Sequence, residues 1–357
     1  MSSAGAVLTP EPVAITTKHK GMRDRLSSPW ASFAAITLAV LWTIPTFGLL
    51  VTSFRPQTEI NTNGWWNFFT DPQVTLENYQ TVLFEGSGVS TPLSQYFVNT
   101  FVIALPSTII PLTLAVFAAY AIAWFDFKGR DFLFFFIFAL QVVPLQMSLI
   151  PLLQLFSGGL HIGSVPIIPD FNITGTFVPI WLAHSMFGLP LAIFLIHNFI
   201  AQIPRELVES ARVDGADSFK MFRSIILPLS VPAIASFSIF QFLWVWNDLL
   251  VGLTFGGGKQ SIAPLTVRLA ELTGTRGGDW ELLTAGAFIS MIVPVAVFFA
   301  LQRYFVRGLL AAHHGDPRVG PGPQEPRLVG APGHRVVAGA ERATDEDREL
   351  RDLGAGD

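Results

Sequence analysis

The sequence predicts an all-α membrane protein with six transmembrane helices. Hydrophobic residues make up 51% of its 357 residues and charged residues only 13%, against about 25% charge in an ordinary soluble domain. Several uncharged apolar stretches are long enough to cross a bilayer, which takes about 20 helical residues. Lys and Arg also collect on alternate connecting segments, a distribution typical of multi-pass membrane proteins. The absence of cysteine excludes disulfides, thiolate metal sites and cysteine nucleophiles.

The first span is predicted at about 30–53, because Trp30–Ser53 carries no charge and follows a basic flank that includes Lys18 and Arg25. A cleavable signal would have an apolar core of only about 7–15 residues. Residues 1–29 are therefore expected to be a cytoplasmic tail. The same reasoning predicts five more spans, at about 96–124, 132–156, 176–201, 229–250 and 282–302. Prolines inside the spans predict kinked helices: Pro106, Pro111, Pro144, Pro151, Pro190 and Pro294.

The distribution of basic residues predicts the orientation. With the N-terminus inside, twelve Lys and Arg residues up to Arg307 are cytoplasmic and four lie outside. This is a clear positive-inside bias, and it predicts cytoplasmic N- and C-termini in a plasma (inner) membrane. From His313 on, the chain lacks periodic apolar residues, so we expect residues 311–357 to be a disordered tail. The tail could equally be a genuine extension or an altered reading frame. No basic cluster suggests nucleic acid.

A polar segment, residues 202–228, separates the fourth and fifth spans on the cytoplasmic side. Pro204 suits a helix start, and Leu207, Val208 and Ala211 recur at the spacing of one helix face. Asp214-Gly215 predicts the helix end, because glycine readily takes the left-handed conformation there. A second apolar face, formed by Phe219, Phe222 and Ile226, precedes Pro228. Two such short helices need a groove in a partner, or their own membrane domain, to bury these faces.

The same segment carries a family resemblance. Glu209, Ala211 and Gly215 are followed, after nine more positions, by Ile225, Leu227 and Pro228. This pattern resembles the EAA loop of bacterial ABC-importer permeases, and the run from Ile203 to Pro232 resembles the carbohydrate-uptake, maltose-type branch. Ser210 stands where that family usually has alanine. The resemblance implies a type I importer permease fold over residues 30–310, with the loop acting as a coupling helix that docks on an ATP-binding subunit. The residues that carry this match are Glu209, Ala211, Gly215, Ile225, Leu227 and Pro228.

The resemblance also implies partners and a substrate class. They are a second homologous permease, two ATP-binding subunits, an extracytoplasmic sugar-binding protein and the surrounding lipid of a bacterial or archaeal membrane. The chain itself would be a transport subunit without catalytic residues, cofactor or metal, and ATP and Mg would be bound by the partner ATPase. Gly256–Ser261 lacks the spacing of a phosphate-binding loop. Segments 242–253 and 294–309 look most like permeases for α-glucosides.

Polar residues at membrane depth are candidates for function. The run Trp244-Val245-Trp246-Asn247-Asp248 offers an acid, an amide and two indoles, which suit a sugar along a translocation pathway. Alternatively, Asn247 and Asp248 hydrogen-bond neighbouring helices and fix a gate. Gln141 and Gln146 could line the pathway or bond between helices, and the histidines at 184 and 197 are expected to pack.

Two other assignments stay open at this point. The aromatic cluster Trp65, Trp66, Phe68 and Phe69 is either a membrane-interface belt or a contact surface for an external protein. An ion-gradient-driven secondary transporter or channel is the rival function. That rival would need charged relays in several spans or an inverted repeat, and the sequence offers only Asp248.

Overall fold

The computed structural model describes residues 29–85, 91–163, 165–273 and 278–313, with side chains through residue 300. Residues 1–28 and 314–357, which hold nearly all of the predicted tails, lie outside the described residues. The described helices are α1 (Pro29–Ser53), α2 (Gln57–Thr62), α3 (Glu77–Gln80), α4 (Leu93–Trp124), α5 (Arg130–Leu140), α6 (Leu145–Gly158), α7 (Phe177–Ile200), α8 (Arg205–Val213), α9 (Ser218–Met221), α10 (Leu227–Trp246), α11 (Leu250–Phe255), α12 (Leu265–Thr273) and α13 (Trp280–His313).

The predicted all-α membrane fold is confirmed. In the described part, five helical stretches are long and apolar enough to cross a membrane: α1, α4, α7, the continuous run Ser218–Trp246, and Trp280–Ala300 of α13. A sixth crossing is formed by α5 and α6 if that bent pair counts as one span. The small antiparallel hairpin after α6 pairs β1 (Leu160–Ile162) with β2 (Val165–Ile168).

The third predicted span, 132–156, is broken rather than merely kinked. Helices α5 and α6 meet at an angle of 99° around residues 141–144. Pro144 immediately precedes α6 in an extended conformation, and a proline also disfavours helical geometry in the residue before it. The other five prolines predicted to kink spans lie inside helices that continue past them: Pro106 and Pro111 in α4, Pro151 in α6, Pro190 in α7 and Pro294 in α13.

The helix that follows the polar segment also differs from prediction. The second short helix of the polar segment, with Phe219, Phe222 and Ile226, is predicted to end at Pro228. Instead, one helix continues from Ser218 to Trp246, passing through a π turn at Phe222–Ile226. Pro228 lies in the first turn of α10, where its missing N–H is tolerated because the wider turn has already shifted the bonding pattern. The fifth span therefore begins and ends earlier than the predicted 229–250, and α13 extends beyond the predicted 302.

Two apolar clusters hold the bundle together. The first lies at the end that carries α8 and joins α4, α7, α8, α9 and the π turn. The second lies further along the bundle and joins α4, α7, α10, α11, α12 and α13 around Trp246 and Phe255. Most of α1 is exposed in the isolated chain, as expected for a helix that faces lipid or another subunit. Helices α4, α7 and α10 thus form the centre.

Side-chain hydrogen bonds connect the loop after α1 to the end of that helix. The Asn78 side-chain amide donates to the carbonyl oxygens of Ser53 and Arg55. The aromatic cluster folds back on α1, where the Trp65 indole packs against Gly48 and the Phe47 ring contacts Trp65 and Phe69. Trp66 and Phe69 remain largely exposed. This geometry suits a membrane interface, and the alternative of an external protein contact stays a prediction.

Candidate functional site

The first candidate site is the predicted coupling segment, which folds into α8, a turn and α9. Pro204 immediately precedes α8. The predicted stop is confirmed: Gly215 has a φ of +80°, and the N–H of Ala216 donates to the carbonyl of Ala211 at 2.9 Å. This is the bond of a glycine-terminated helix end. The Asp217 carboxylate then caps α9 by accepting from the N–H of Lys220.

The outward surface of this segment combines exposed apolar side chains with Glu209. The exposed apolar residues are Leu207, Val213 (88% exposed) and Phe219 (66% exposed). The Glu209 carboxylate has no hydrogen bond or ion pair within the described part of the chain. An apolar surface with an unpaired carboxylate at one end of the bundle is suited to a protein partner. We call this set, Leu207, Glu209, Val213 and Phe219, the coupling surface.

The inward surface packs on the membrane helices. Val208 and Ile226 are buried, together with Met221 and Phe222, against α4 and α7. The apolar faces predicted from sequence were therefore wrong in part, because Leu207 and Phe219 lie outward and Met221 lies inward. Of the remaining predicted coupling residues, Ala211, Ile225 and Leu227 are half-buried and Pro228 is exposed. The segment is bound to its own bundle on one side and open on the other.

The four predicted pathway residues occupy different surroundings. Trp246 is buried among Phe97, Phe101 and Phe242, and its indole N–H donates to the Ser290 carbonyl. The Asn247 amide donates to the Leu243 carbonyl at the end of its own helix. Asp248 accepts from two backbone N–H groups of α11, and Trp244 is half-buried beside a cavity. The pathway role of all four stays a prediction.

The second candidate site is that cavity, at the break between α5 and α6. It has a volume of about 450 Å³. The broken span contributes Gln141, Gln146 and Ser148, and the facing helices α7 and α10 contribute apolar side chains, Gln241 and Trp244. Sequence reasoning missed Gln241, although an amide in the mostly apolar stretch 231–246 was a usable signal. The other lining residues are Leu140, Val143, Pro144, Leu145, Met186, Phe187, Gly188, Pro190, Leu191 and Phe240.

The two membrane histidines have different environments. His184 is buried, with its Nε2 atom 3.8 Å from a carboxylate oxygen of Asp248. His197 packs on the ring of Phe134. Among the described residues, no group of three or more His, Cys, Asp or Glu could hold a metal ion.

Comparison with known proteins decides what kind of subunit carries these two sites. Residues 82–310 match the family described as binding-protein-dependent transport system inner membrane component. The chain belongs to this family. Its relatives include permease proteins of alpha-glucoside and arabinooligosaccharide transport systems. This is the ABC sugar permease family that the coupling segment resembles, and it disfavours the ion-gradient alternative.

Individual relatives agree with this assignment. The chain is 50% identical over 282 residues to the osmoprotective compounds uptake permease protein GgtD of Synechocystis sp., covering 78% of this chain and 89% of that protein. It is 55% identical over 243 residues to the alpha-glucoside transport system permease protein AglG of Rhizobium meliloti, covering 68% of this chain and 60% of that relative.

A solved structure supports the fold. The crystal structure of a bacterial alginate ABC transporter, in complex with an alginate pentasaccharide-bound periplasmic protein, contains a chain that aligns with a TM-score of 0.56 at 16% identity. The alignment covers 84% of this chain and 98% of that one. As an inner-membrane permease of a binding-protein-dependent system, the chain is a transport component with the ABC importer permease fold.

Proposed function

We propose that this permease forms half of the translocation pathway of an ATP-driven importer for an α-glucoside or a related oligosaccharide. It would work with a second homologous permease, two ATP-binding subunits and an extracytoplasmic sugar-binding protein. ATP and Mg would be bound by the ATP-binding subunits. The observation that carries this proposal is the coupling surface, because it presents apolar side chains and an unpaired carboxylate on a segment anchored in the core.

The coupling surface would dock in a cleft of an ATP-binding subunit on the cytoplasmic side. Val213 and Phe219 would bury their exposed side chains there, and Glu209 would accept hydrogen bonds from basic or backbone groups of the cleft. Burying about 100 Å² of apolar surface contributes about 2.5 kcal/mol before ordering costs. Gly215 would supply the turn, and Ala211 the close approach of α8 to the membrane domain.

Motion would reach the pathway through the inward side of the same segment. When ATP brings the two ATP-binding subunits together, docked α8 would move with them. Val208, Met221 and Phe222 would transmit that movement to α4 and α7. Each access state then needs a different contact with the ATPase, because a ligand shifts a conformational equilibrium only through differential affinity. The coupling surface would provide this contact.

The substrate class is supported by the relative named for alpha-glucosides and by the chemistry of the cavity. All fifteen residues that line the cavity are uncharged, so an uncharged sugar suits it better than an acidic one. The relative named for osmoprotective compounds uptake is nearly as similar. The α-glucoside assignment therefore relies on the cavity as well as on the relative's name.

Co-purification tests the proposal directly. The chain would be produced with the candidate ATP-binding subunits of its own genome and purified in mild detergent, as wild type, Glu209→Lys and the control Asp71→Lys. Asp71 is an exposed acid in the loop after α1. We expect wild type and the control to retain the ATPase and Glu209→Lys to lose it. A wild-type chain that retains no ATPase, under conditions that preserve other ABC importers, would refute the proposal.

A further inference from the structure

The cavity at the α5–α6 break has an unusual wall. Most of its lining residues are apolar, whereas the broken span places two glutamine side chains, Gln141 and Gln146, at its edge. Both are exposed, and neither side chain hydrogen-bonds within the described residues. Amides provide donors and acceptors without charge. The polar groups of this wall therefore match neutral hydroxyl groups.

Gln241 supplies an independent sign of a missing polar partner. Its side chain is fully buried, and its amide nitrogen donates to the carbonyls of Ser107 at 3.2 Å and His184 at 3.4 Å. Its Oε1 atom has no hydrogen-bond partner in the described part of the chain. This oxygen has no accessible surface in the structure. Because an unsatisfied buried acceptor is costly, a small separation of α7 and α10 that exposed it to the cavity would let it accept from a bound molecule.

The backbone around Gln241 is shaped to admit this amide. A Cβ atom at Gly188 would lie 2.5 Å from the Gln241 Oε1 atom, so only glycine lets α7 approach the amide this closely. The break at Gln141–Pro144 also indicates a cavity, because non-helical backbone at membrane depth is tolerated where it lines a cavity or is buried in protein. Broken helices of this kind surround the substrate in several transporter folds.

Trp244 and Phe187 complete the wall with aromatic surface. Aromatic faces pack well on the C–H faces of sugar rings, while the indole N–H can bond a hydroxyl. A volume of about 450 Å³ falls within the range of about 300–1,000 Å³ found for small-molecule sites. The cavity is thus large enough for a disaccharide, or for one end of a longer sugar.

We propose that this cavity is a sugar subsite carried by this chain itself, for an uncharged mono- or disaccharide unit. The amides of Gln141 and Gln146 bind hydroxyl groups, the Trp244 ring packs on a ring face, and the Gln241 Oε1 atom accepts from a further hydroxyl once α7 and α10 separate. This inference deepens the proposed function and rests on it. It assigns the polar contacts to the broken span and Gln241, and it leaves Trp246, Asn247 and Asp248 outside the subsite.

Cysteine protection tests the subsite. The chain contains no cysteine, so the single variants Gln146→Cys and Gln154→Cys each introduce one thiol. Gln154 lies on the same helix, is exposed, and is not among the residues that line the cavity. In the full transporter, labelling by a small methanethiosulfonate reagent would be timed with and without maltose, trehalose or sucrose. We expect at least one sugar to slow labelling at position 146 about three- to tenfold and to leave position 154 unchanged.

Transport by the same complexes separates this inference from the proposed function. Gln241→Met keeps the side-chain volume but removes the acceptor together with the donor bonds to Ser107 and His184. We expect it to raise the half-saturating concentration of the protecting sugar about three- to tenfold, as for loss of one hydrogen bond. Gln146→Ala serves as a second variant if Gln241→Met fails to assemble. Suppose that wild type takes up a sugar, that this sugar does not protect position 146, and that Gln146→Ala has no effect on uptake. This result would overturn the subsite and leave the importer assignment intact. If none of the three sugars is taken up and none protects, both the subsite and the α-glucoside assignment are wrong.

Discussion

The Tyr120 hydroxyl donates a hydrogen bond to the carbonyl oxygen of Ser218, 3.0 Å away. This bond links α4 to the first residue of α9, just past the turn that ends α8. The Tyr120 ring also lies 5.1 Å from the Phe222 ring, centre to centre. Under the proposed coupling, a displacement of the coupling surface would act on the central helix α4 through this hydrogen bond and through the ring contacts of Phe222 with Tyr120 and Phe117.

Tyr120→Phe should loosen coupling without dissociating the ATPase. The variant keeps the aromatic contact and loses one hydrogen bond, so the free energy of unfolding should fall by about 1 kcal/mol. We expect ATP hydrolysis to continue while the sugar taken up per ATP hydrolysed decreases. The control is Tyr79→Phe, which loses the contact between the Tyr79 and Ser53 hydroxyls in the loop after α1. Equal uptake per ATP in both variants would contradict the role of Tyr120.

Gly215→Ala should weaken ATPase docking through backbone strain alone. A Cβ at Gly215 would meet no other atom within 4 Å, but the φ of +80° is unfavourable for alanine, at a cost of about 1 kcal/mol. Gly129→Ala is the matched control, since Gly129 has a φ of +85° and similarly open surroundings. Both variants should lose similar stability on heating. Only Gly215→Ala should retain less ATPase on purification, and identical retention would count against the coupling turn.

Asp248→Asn should transport sugar almost as well as wild type. The Asp248 carboxylate accepts from the N–H groups of Val251 at 2.8 Å and Gly252 at 3.3 Å, and the asparagine side-chain oxygen can accept in the same way. Asp248→Ala should lose this cap and about 1 kcal/mol of unfolding free energy. Uptake and thermal unfolding of both variants provide the test. A stable Asp248→Asn protein without transport would instead assign the negative charge to the pathway.

Asn78→Ala should destabilise the chain without touching either candidate site. It removes two hydrogen bonds of 2.9 Å, to the carbonyls of Ser53 and Arg55, and leaves buried acceptors unsatisfied. We expect the free energy of unfolding to decrease by about 1–3 kcal/mol, measured by thermal unfolding in detergent. Asn63→Ala is the control, because Asn63 is exposed and its side chain makes a single hydrogen bond among the described residues, to the nearby Glu59 side chain. A comparable loss of stability in the control would show that the loop, rather than the Asn78 contacts, determines the effect.

Sequence reasoning located elements whose signals are local. The α8 segment was predicted from its apolar spacing and Gly215, and α1 and α7 from uncharged stretches of membrane length. It did not locate the break at Pro144, because a proline inside a span can kink, break or barely disturb a helix depending on its neighbours. The π turn before Pro228 is equally a tertiary outcome. Gln241 belongs to the cavity only because Gly188, 53 positions earlier, lets two helices approach.

The unbroken helix from Ser218 to Trp246 has a mechanical consequence. At about 1.5 Å per residue, its 29 residues extend about 43 Å. A rotation at the end beside α8 would therefore displace the opposite end over a larger distance. By the same geometry, a tilt of about 5° about the Ser218 end would displace the Trp246 end by about 4 Å. Three residues of the cavity wall lie near that end: Phe240, Gln241 and Trp244. Under the proposed coupling, a small rocking motion would thereby move the cavity wall by a distance comparable to the length of a hydrogen bond.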